Sequence, residues 1–344
     1  MPAREIDQEL VNAAEAGDVA QASSLLVRGA NPRSQKSGAL VAAAKNGHVE
    51  CVALLLAVSD PKAQDSESLR LAAQYGHMEC VRLLLPVSNP KSRESDALER
   101  AAGNGHAECV KLLLPVSDPK ACDSLALRVA AVNGHLECVR LLLPVSDAQA
   151  SESDALESAA ANGHAECLTL LLPVSDPRSR MSYALRSAAA NGHAECVRLL
   201  LPVSDAQAAD SYALRLAADS GHVECVRLLL PMSDAQANDS QALSLAARNG
   251  HAECVRLLLG PSQPLVEMGG LLPAVIQCGR ANVASLLIEE EPRLLDGVDL
   301  LQCLAVSIAK GNADMAGLLS SIIEQRELLA IVPNRPASRR GSSI

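Results

Sequence analysis

The dipeptide Gly-His occurs at Gly47-His48 and then at every 29th residue, with glycines at 76, 105, 134, 163, 192, 221 and 250. All 8 histidines of the chain stand in it. A fixed internal period this short constrains folding more than any other feature. No single unit is long enough to bury a core of its own, so neighbours must share one, and the chain can only stack. The register extends outward. Gly17, with Leu10, Ala13-Ala14 and Leu25-Leu26 around it, marks an earlier unit. Gly279 and Gly311, with Leu272 and Leu304 before them, mark two later ones. Eleven units result, from about residue 8 to residue 330.

The unit from Asp210 to Pro231 shows the local logic. Ser211 is expected to be an N-cap, its hydroxyl accepting an orphan N–H of the first helical turn. Leu214, Ala217 and Ala218 fall at i, i+3 and i+4, the buried stripe of a first helix. Ser220-Gly221 ends that helix, because glycine takes the left-handed conformation that closes a helix C-terminus. A second helix starts near His222 and places Val226, Leu229 and Leu230 on one face. Pro231 follows and Asp234 opens the next loop; elsewhere that aspartate precedes proline, as in Asp60-Pro61, Asp118-Pro119 and Asp176-Pro177, a turn signal. The alanine pair lets neighbouring helices approach to ~8–10 Å. Composition agrees: there is no Phe or Trp and only Tyr75, Tyr183 and Tyr212 as aromatics, so the interior is thin layers of Leu and Ala.

The pattern Leu-x-x-Ala-Ala-x-x-Gly-His-x-x-x-Val-x-x-Leu-Leu resembles the helical core of the ankyrin repeat family, and Arg28-Gly29-Ala30-Asn31 is similar to its Gly-Ala corner. The period is 29 residues where the family has about 33, and Ser-x-Ala-Leu replaces the usual Thr-Pro-Leu-His. The shortfall lies in the β-hairpin finger between units, so short fingers without a β-ladder are expected. The resemblance implies an all-α, ankyrin-type repeat solenoid of about eleven helix-turn-helix units. Its expected division is an N-terminal capping repeat at 1–38, eight regular repeats at 39–270, two degenerate capping repeats at 271–330 and a disordered basic tail at 331–344. The irregular first and last units are expected to present a polar outer surface.

Chemistry is sparse. The resemblance gives the histidines a structural role, opening the second helix and bonding nearby backbone. Each unit also offers His-x-x-Cys, as at His106 and Cys109. Zinc needs four ligands, or three and a water, within ~2.0–2.3 Å, and one unit supplies two. The next pair lies a helix-stacking distance away, beyond the ~7 Å Cα limit of a disulfide. Cys51, Cys80, Cys109 and their successors to Cys254 therefore read as small apolar side chains of the repeat, and Val283 fills that place in the tenth unit. No metal or cofactor is expected. Walker, Gly-x-Gly-x-x-Gly, Gly-x-Ser-x-Gly and His-Glu-x-x-His motifs are absent, and no enzyme is expected. Glu79 with Arg82, Glu108 with Lys111 and Glu253 with Arg256 form a solvated helix face.

A formal net charge of −10 weighs against nucleic acid as a partner. No apolar stretch reaches the ~20 residues that span a bilayer, and Met1 to Val11 lacks the apolar segment of a secretory signal. The expected compartment is the cytoplasm, a host cell's if the protein is an exported effector, and the expected state a monomer.

Positions that vary between near-copies are those the fold does not dictate. The residue after the first helix's leading Leu runs Val41, Arg70, Glu99, Arg128, Glu157, Arg186, Arg215, Ser244, an alternation suggesting a ladder of weak surface ion pairs. The residue after the N-cap Ser runs Glu67, Asp96, Leu125, Asp154, Tyr183, Tyr212, Gln241. Each of these tyrosines stands three residues before an arginine. Tyr and Arg are the types most enriched at binding hot spots. Arg178, Arg180, Tyr183, Arg186, Tyr212 and Arg215 are therefore the expected contact residues for a protein partner, an acidic or amphipathic segment. The alternative is an effector whose solenoid presents its C-terminal tail, in which Arg339-Arg340-x-Ser342 resembles a basophilic kinase site and Ser342-Ser343-Ile344 a PDZ-domain ligand.

Overall fold

Why a 29-residue unit suffices is visible in how its helices close on each other. The computed structural model describes residues 3–262 and 269–331; the kinase-like and PDZ-like tail motifs lie outside them. The chain forms two compact units, Met1–Asp205 and Ala206–Ile344. Among the described residues the regular structure is helical, with 22 α-helices and no strand. The first unit runs from the hairpin Ala3–Ala16/Val19–Val27, through Ser34–Asn46/Val49–Leu56, to Ser179–Ala190/Ala194–Leu200. The second holds Ala208–Ser220/Val223–Leu229, Ala237–Asn249/Ala252–Leu259, Leu271–Gln277/Ala281–Glu290 and Leu300–Ala309/Ala313–Ile331.

The core repeats with the sequence. Leu127, Ala130 and Ala131 of the first helix Ala121–Val132 are buried, as are Cys138, Val139 and Leu142 of the following Leu136–Leu142. Each Gly of the Gly-His pair is left-handed, Gly134 at φ 73°, and over Gly47, Gly76, Gly105, Gly134, Gly163 and Gly221 lies the imidazole of the next repeat. His164 sits against Gly134 in this way, and its Nε2 meets the carbonyl oxygen of Val132 at 2.9 Å. His77 reaches the Lys45 carbonyl and His135 the Gly103 carbonyl likewise, at 2.9 and 3.1 Å. In the irregular hairpins Arg280 Nε donates to the equivalent Arg248 carbonyl at 3.1 Å, and Lys310 Nζ to that of Gln277 at 3.1 Å. The histidine role thus passes to whichever side chain can donate to that carbonyl.

The fingers depart from expectation. Ser211 is not an N-cap. It ends a left-handed turn of three residues, Ala209, Asp210 and Ser211, with φ of 52°, 56° and 56°, whereas an N-cap needs an extended backbone. Its buried hydroxyl accepts instead from the backbone N–H of Asp234 in the next repeat, at 2.8 Å. Asp234 in turn accepts from the N–H of Gln236 at 2.8 Å. The same arrangement recurs in the first unit, where Ser37, Ser66, Ser95 and Ser124 accept from the backbone at Asp60, Asn89, Asp118 and Asp147, at 2.8–2.9 Å. A left-handed residue other than glycine costs roughly 1–2 kcal/mol. Satisfying the buried serine hydroxyl across the repeat boundary offsets part of that cost.

The two ends differ. Helix Ala3–Ala16 exposes Arg4, Glu5, Gln8, Asn12 and Glu15. Helix Leu300–Ala309, which has no charged residue, exposes Leu301, Val306 and Ile308 instead of a polar outer surface. Its buried residues are Leu300 and Ser307.

Candidate interaction surface

The finger before Ser179–Ala190 is built like the others but carries different side chains. Its left-handed turn is Arg180, Met181 and Ser182. Ser182 is buried and bonds the Asp205 N–H at 2.9 Å, which fixes the turn. Met181 is then forced outward and is 66% exposed. Tyr183, two residues on, is 42% exposed. In the other fingers of this unit the turn's middle position holds Lys36, Asp65, Glu94, Asp123 and Glu152. Sequence reasoning missed Met181, although the register column from Asp65 to Glu152 displays the lapse.

The six expected contact residues divide between the units, Arg178, Arg180, Tyr183 and Arg186 in Met1–Asp205, Tyr212 and Arg215 in Ala206–Ile344. Arg178 is exposed at the finger; its N–H donates to Asp176 Oδ1 at 2.9 Å and its Nε to the Val203 carbonyl at 3.2 Å. Arg186 places its guanidinium 5.5 Å from the Tyr183 ring centre, and its Nη1 donates to the Arg180 carbonyl at 3.3 Å. In the second unit Arg215 lies 4.7 Å from the centre of the Tyr212 ring, bonds the Ala209 carbonyl at 3.0 Å and donates to Gln241 Oε1. Both Tyr–Arg pairs are stacks across one helical turn, each worth ~0.5–1 kcal/mol when exposed.

Arg180 has a different role from the one expected. Its Nε pairs with Glu152 at 2.7 Å, its Nη1 with Glu157 at 3.0 Å, and its Nη2 donates to the Ser151 carbonyl at 3.2 Å. All three partners belong to the preceding repeat. The guanidinium clasps one finger onto its neighbour, because the left-handed turn at φ 46° aims it backward along the stack.

The ion ladder also differs in its connections. Arg70 does not meet Glu99; its Nη1 pairs with Asp96 at 2.7 Å, and Arg128 pairs with Asp154 at 2.7 Å. Asp96 holds Arg100 as well, at 2.8 Å. The rungs run from the residue after the leading Leu to the residue after the Ser of the next repeat. Arg70 is 4% exposed, so removing its partner would strand a buried charge, a strongly destabilising change. Glu157 is buried too, and burial pushes its carboxyl up to about 7 against the opposing pull of Arg180.

Burial also sets the state of the repeat cysteines. Burial pushes the thiols of Cys80, Cys109, Cys138, Cys196 and Cys254 up to about 11, which suppresses the thiolate that reacts and binds metal. Among the described residues no three His, Cys, Asp or Glu side chains cluster as a metal site, and none of their helices is long and apolar enough to cross a membrane.

Helical hairpins repeated in one register, joined by short fingers whose outer side chains vary while the inner ones do not, define an α-helical repeat protein. A family model described as Ankyrin repeats (3 copies) matches residues 10–96, 98–182 and 185–268. The chain belongs to the ankyrin repeat family, whose members generally mediate protein–protein interactions and are generally non-enzymatic scaffolds. A search of curated proteins returns no match.

Proposed function

We propose that the chain is a monomeric, non-enzymatic cytoplasmic scaffold that holds an acidic or amphipathic protein segment on its finger and first-helix surface. The observation that carries this reading is the finger at Arg178–Tyr183. There the acid of the neighbouring turns gives way to exposed Met181, next to exposed Tyr183 and Arg178. An apolar pair beside a cation suits an amphipathic segment, and rigid aromatic anchors carry much of the energy at interfaces. Arg180 supports the surface indirectly, by fixing the turn. The Tyr212–Arg215 stack of the second unit is proposed as a separate contact, to be tested on its own.

The test is quantitative affinity capture with three full-length baits: wild type, Met181→Ala/Tyr183→Ala, and Glu166→Ala as an exposed second-helix control. Asp96 is unsuitable as a control because it holds Arg70 and Arg100. Proteins retained by wild type and control should fall at least ~10-fold on the double variant, since losing a hot spot costs about 2 kcal/mol or more. Equal recovery on all three baits would place the partner elsewhere.

A further inference from the structure

A second feature of the first unit lies at its other end. A groove of ≈ 720 Å³ runs across the first fingers, within the ~300–1,000 Å³ range of ligand clefts. Three cations line it, Arg33, Lys36 and Lys62, all exposed. None of them makes an ion pair or a side-chain hydrogen bond with another described residue, whereas Arg70, Arg93, Arg100, Arg128 and Arg180 of the same unit are all paired. The one acid in the lining is Asp60, and its Oδ1 already accepts from the Lys62 backbone N–H at 3.0 Å. Val87 adds an apolar patch.

Arg33 and Lys62 share a register position that also holds Lys91, Lys120 and Arg178, so comparison within the chain singles out Lys36 as the charge peculiar to this groove. Lys36 occupies the middle of a left-handed turn, at φ 57°. The same place holds Asp65, Glu94, Asp123 and Glu152 in the following four fingers. Aspartate tolerates the left-handed region better than lysine does. The first of these turns reverses the charge of its counterparts. A charge reversed at one turn of a repeated series, beside an open cleft, marks a position where something other than the shared fold sets the residue.

We infer that the groove formed by Arg33, Lys36 and Lys62 binds a short acidic peptide segment, its carboxylates meeting the three cations and an apolar side chain meeting Val87. A peptide suits it better than a polyanion, because the positive charge is confined to one groove of a chain whose formal net charge is −10 and a long anion would meet repulsion beyond it.

The experiment uses the full chain and a fluorescein-labelled, Glu-rich decapeptide containing valine, read by fluorescence anisotropy at low and physiological salt. Wild type should bind the probe, more weakly as salt rises. Lys36→Asp restores the residue type of the other turns, so its Tm should be unchanged or higher while affinity falls at least ~10-fold (about 1.4 kcal/mol). Lys111→Asp, the same change of net charge on an exposed second-helix lysine, should stay within about twofold of wild type. The inference fails if wild type does not bind the probe, or if both variants weaken binding equally. It also fails if a single-stranded oligonucleotide or phosphatidylserine vesicles displace the probe better than unlabelled peptide, or if the peptide with Gln for Glu competes as well.

Discussion

Single residues in this chain act mostly across repeat boundaries. Ser211 satisfies an N–H 23 residues ahead, His164 a carbonyl 32 residues behind, and Arg180 holds acids 23 and 28 residues behind. Glu157 shows what such placement does to a titrating group. Its carboxyl is raised from 4.5 to about 7 in the folded protein, chiefly by desolvation. A raised carboxyl binds its proton more tightly in the folded state than in the unfolded one, so protonation favours folding. Its contribution to stability is fully present below about pH 4.5 and is lost as pH rises through about 7. Glu157→Gln, which keeps the shape and cannot ionise, removes that dependence. Urea midpoints of the two proteins at pH 5 and pH 8 should show the variant gaining on wild type at the higher pH. A difference that is the same at both would mean that the Arg180 pair already outweighs the burial.

At the scale of elements, the helical hairpins and the fingers answer to different physics. The hairpins were legible in the sequence because their determinants are local and periodic: Leu127, Ala130 and Ala131 at helical spacing, closed by Gly134. The left-handed turns were not, because Ser-x-Ala-Leu reads equally well as an N-cap, and what selects the turn is a hydrogen bond from the next repeat. The Tyr183–Arg186 and Tyr212–Arg215 stacks follow from i, i+3 spacing, but the commitment of Arg180 to Glu152 needed the packing of neighbouring fingers. Two glycine exchanges separate these layers. Ala209 is exposed at φ 52°, so Ala209→Gly should relieve strain and raise stability by up to ~1 kcal/mol after glycine's extra unfolded-state entropy is subtracted. Gly134 sits at φ 73°, and a Cβ there would collide with the His164 imidazole; Gly134→Ala should lower stability by roughly 2 kcal/mol or more. Thermal unfolding of both variants reads the signs. Destabilisation by Ala209→Gly would mean the left-handed turn is not under strain.

A chain of near-identical units is held by nearest-neighbour interfaces, so its stability is distributed along one dimension, and local opening near an end costs less than opening in the middle. The repeat supplies its own reporters, since a buried cysteine recurs every 29 residues, while Cys122 and Cys278 are exposed. Native-state thiol labelling, followed by proteolysis and mass spectrometry, should mark Cys122 and Cys278 first. The repeat thiols should lag by orders of magnitude, because reagent reaches them only through opening and because desolvation holds them largely protonated near neutral pH. Within Met1–Asp205, Cys51 lies one hairpin in from the N-terminal end, and Cys109 and Cys138 lie further along. Cys51 should therefore be labelled before the other two, and mild urea should widen the gap by promoting partial opening before global unfolding. Labelling of all the buried thiols at one common rate, equal to the rate of global unfolding, would show instead that the hairpins open only together, and that coupling between repeats exceeds any local difference in their stability.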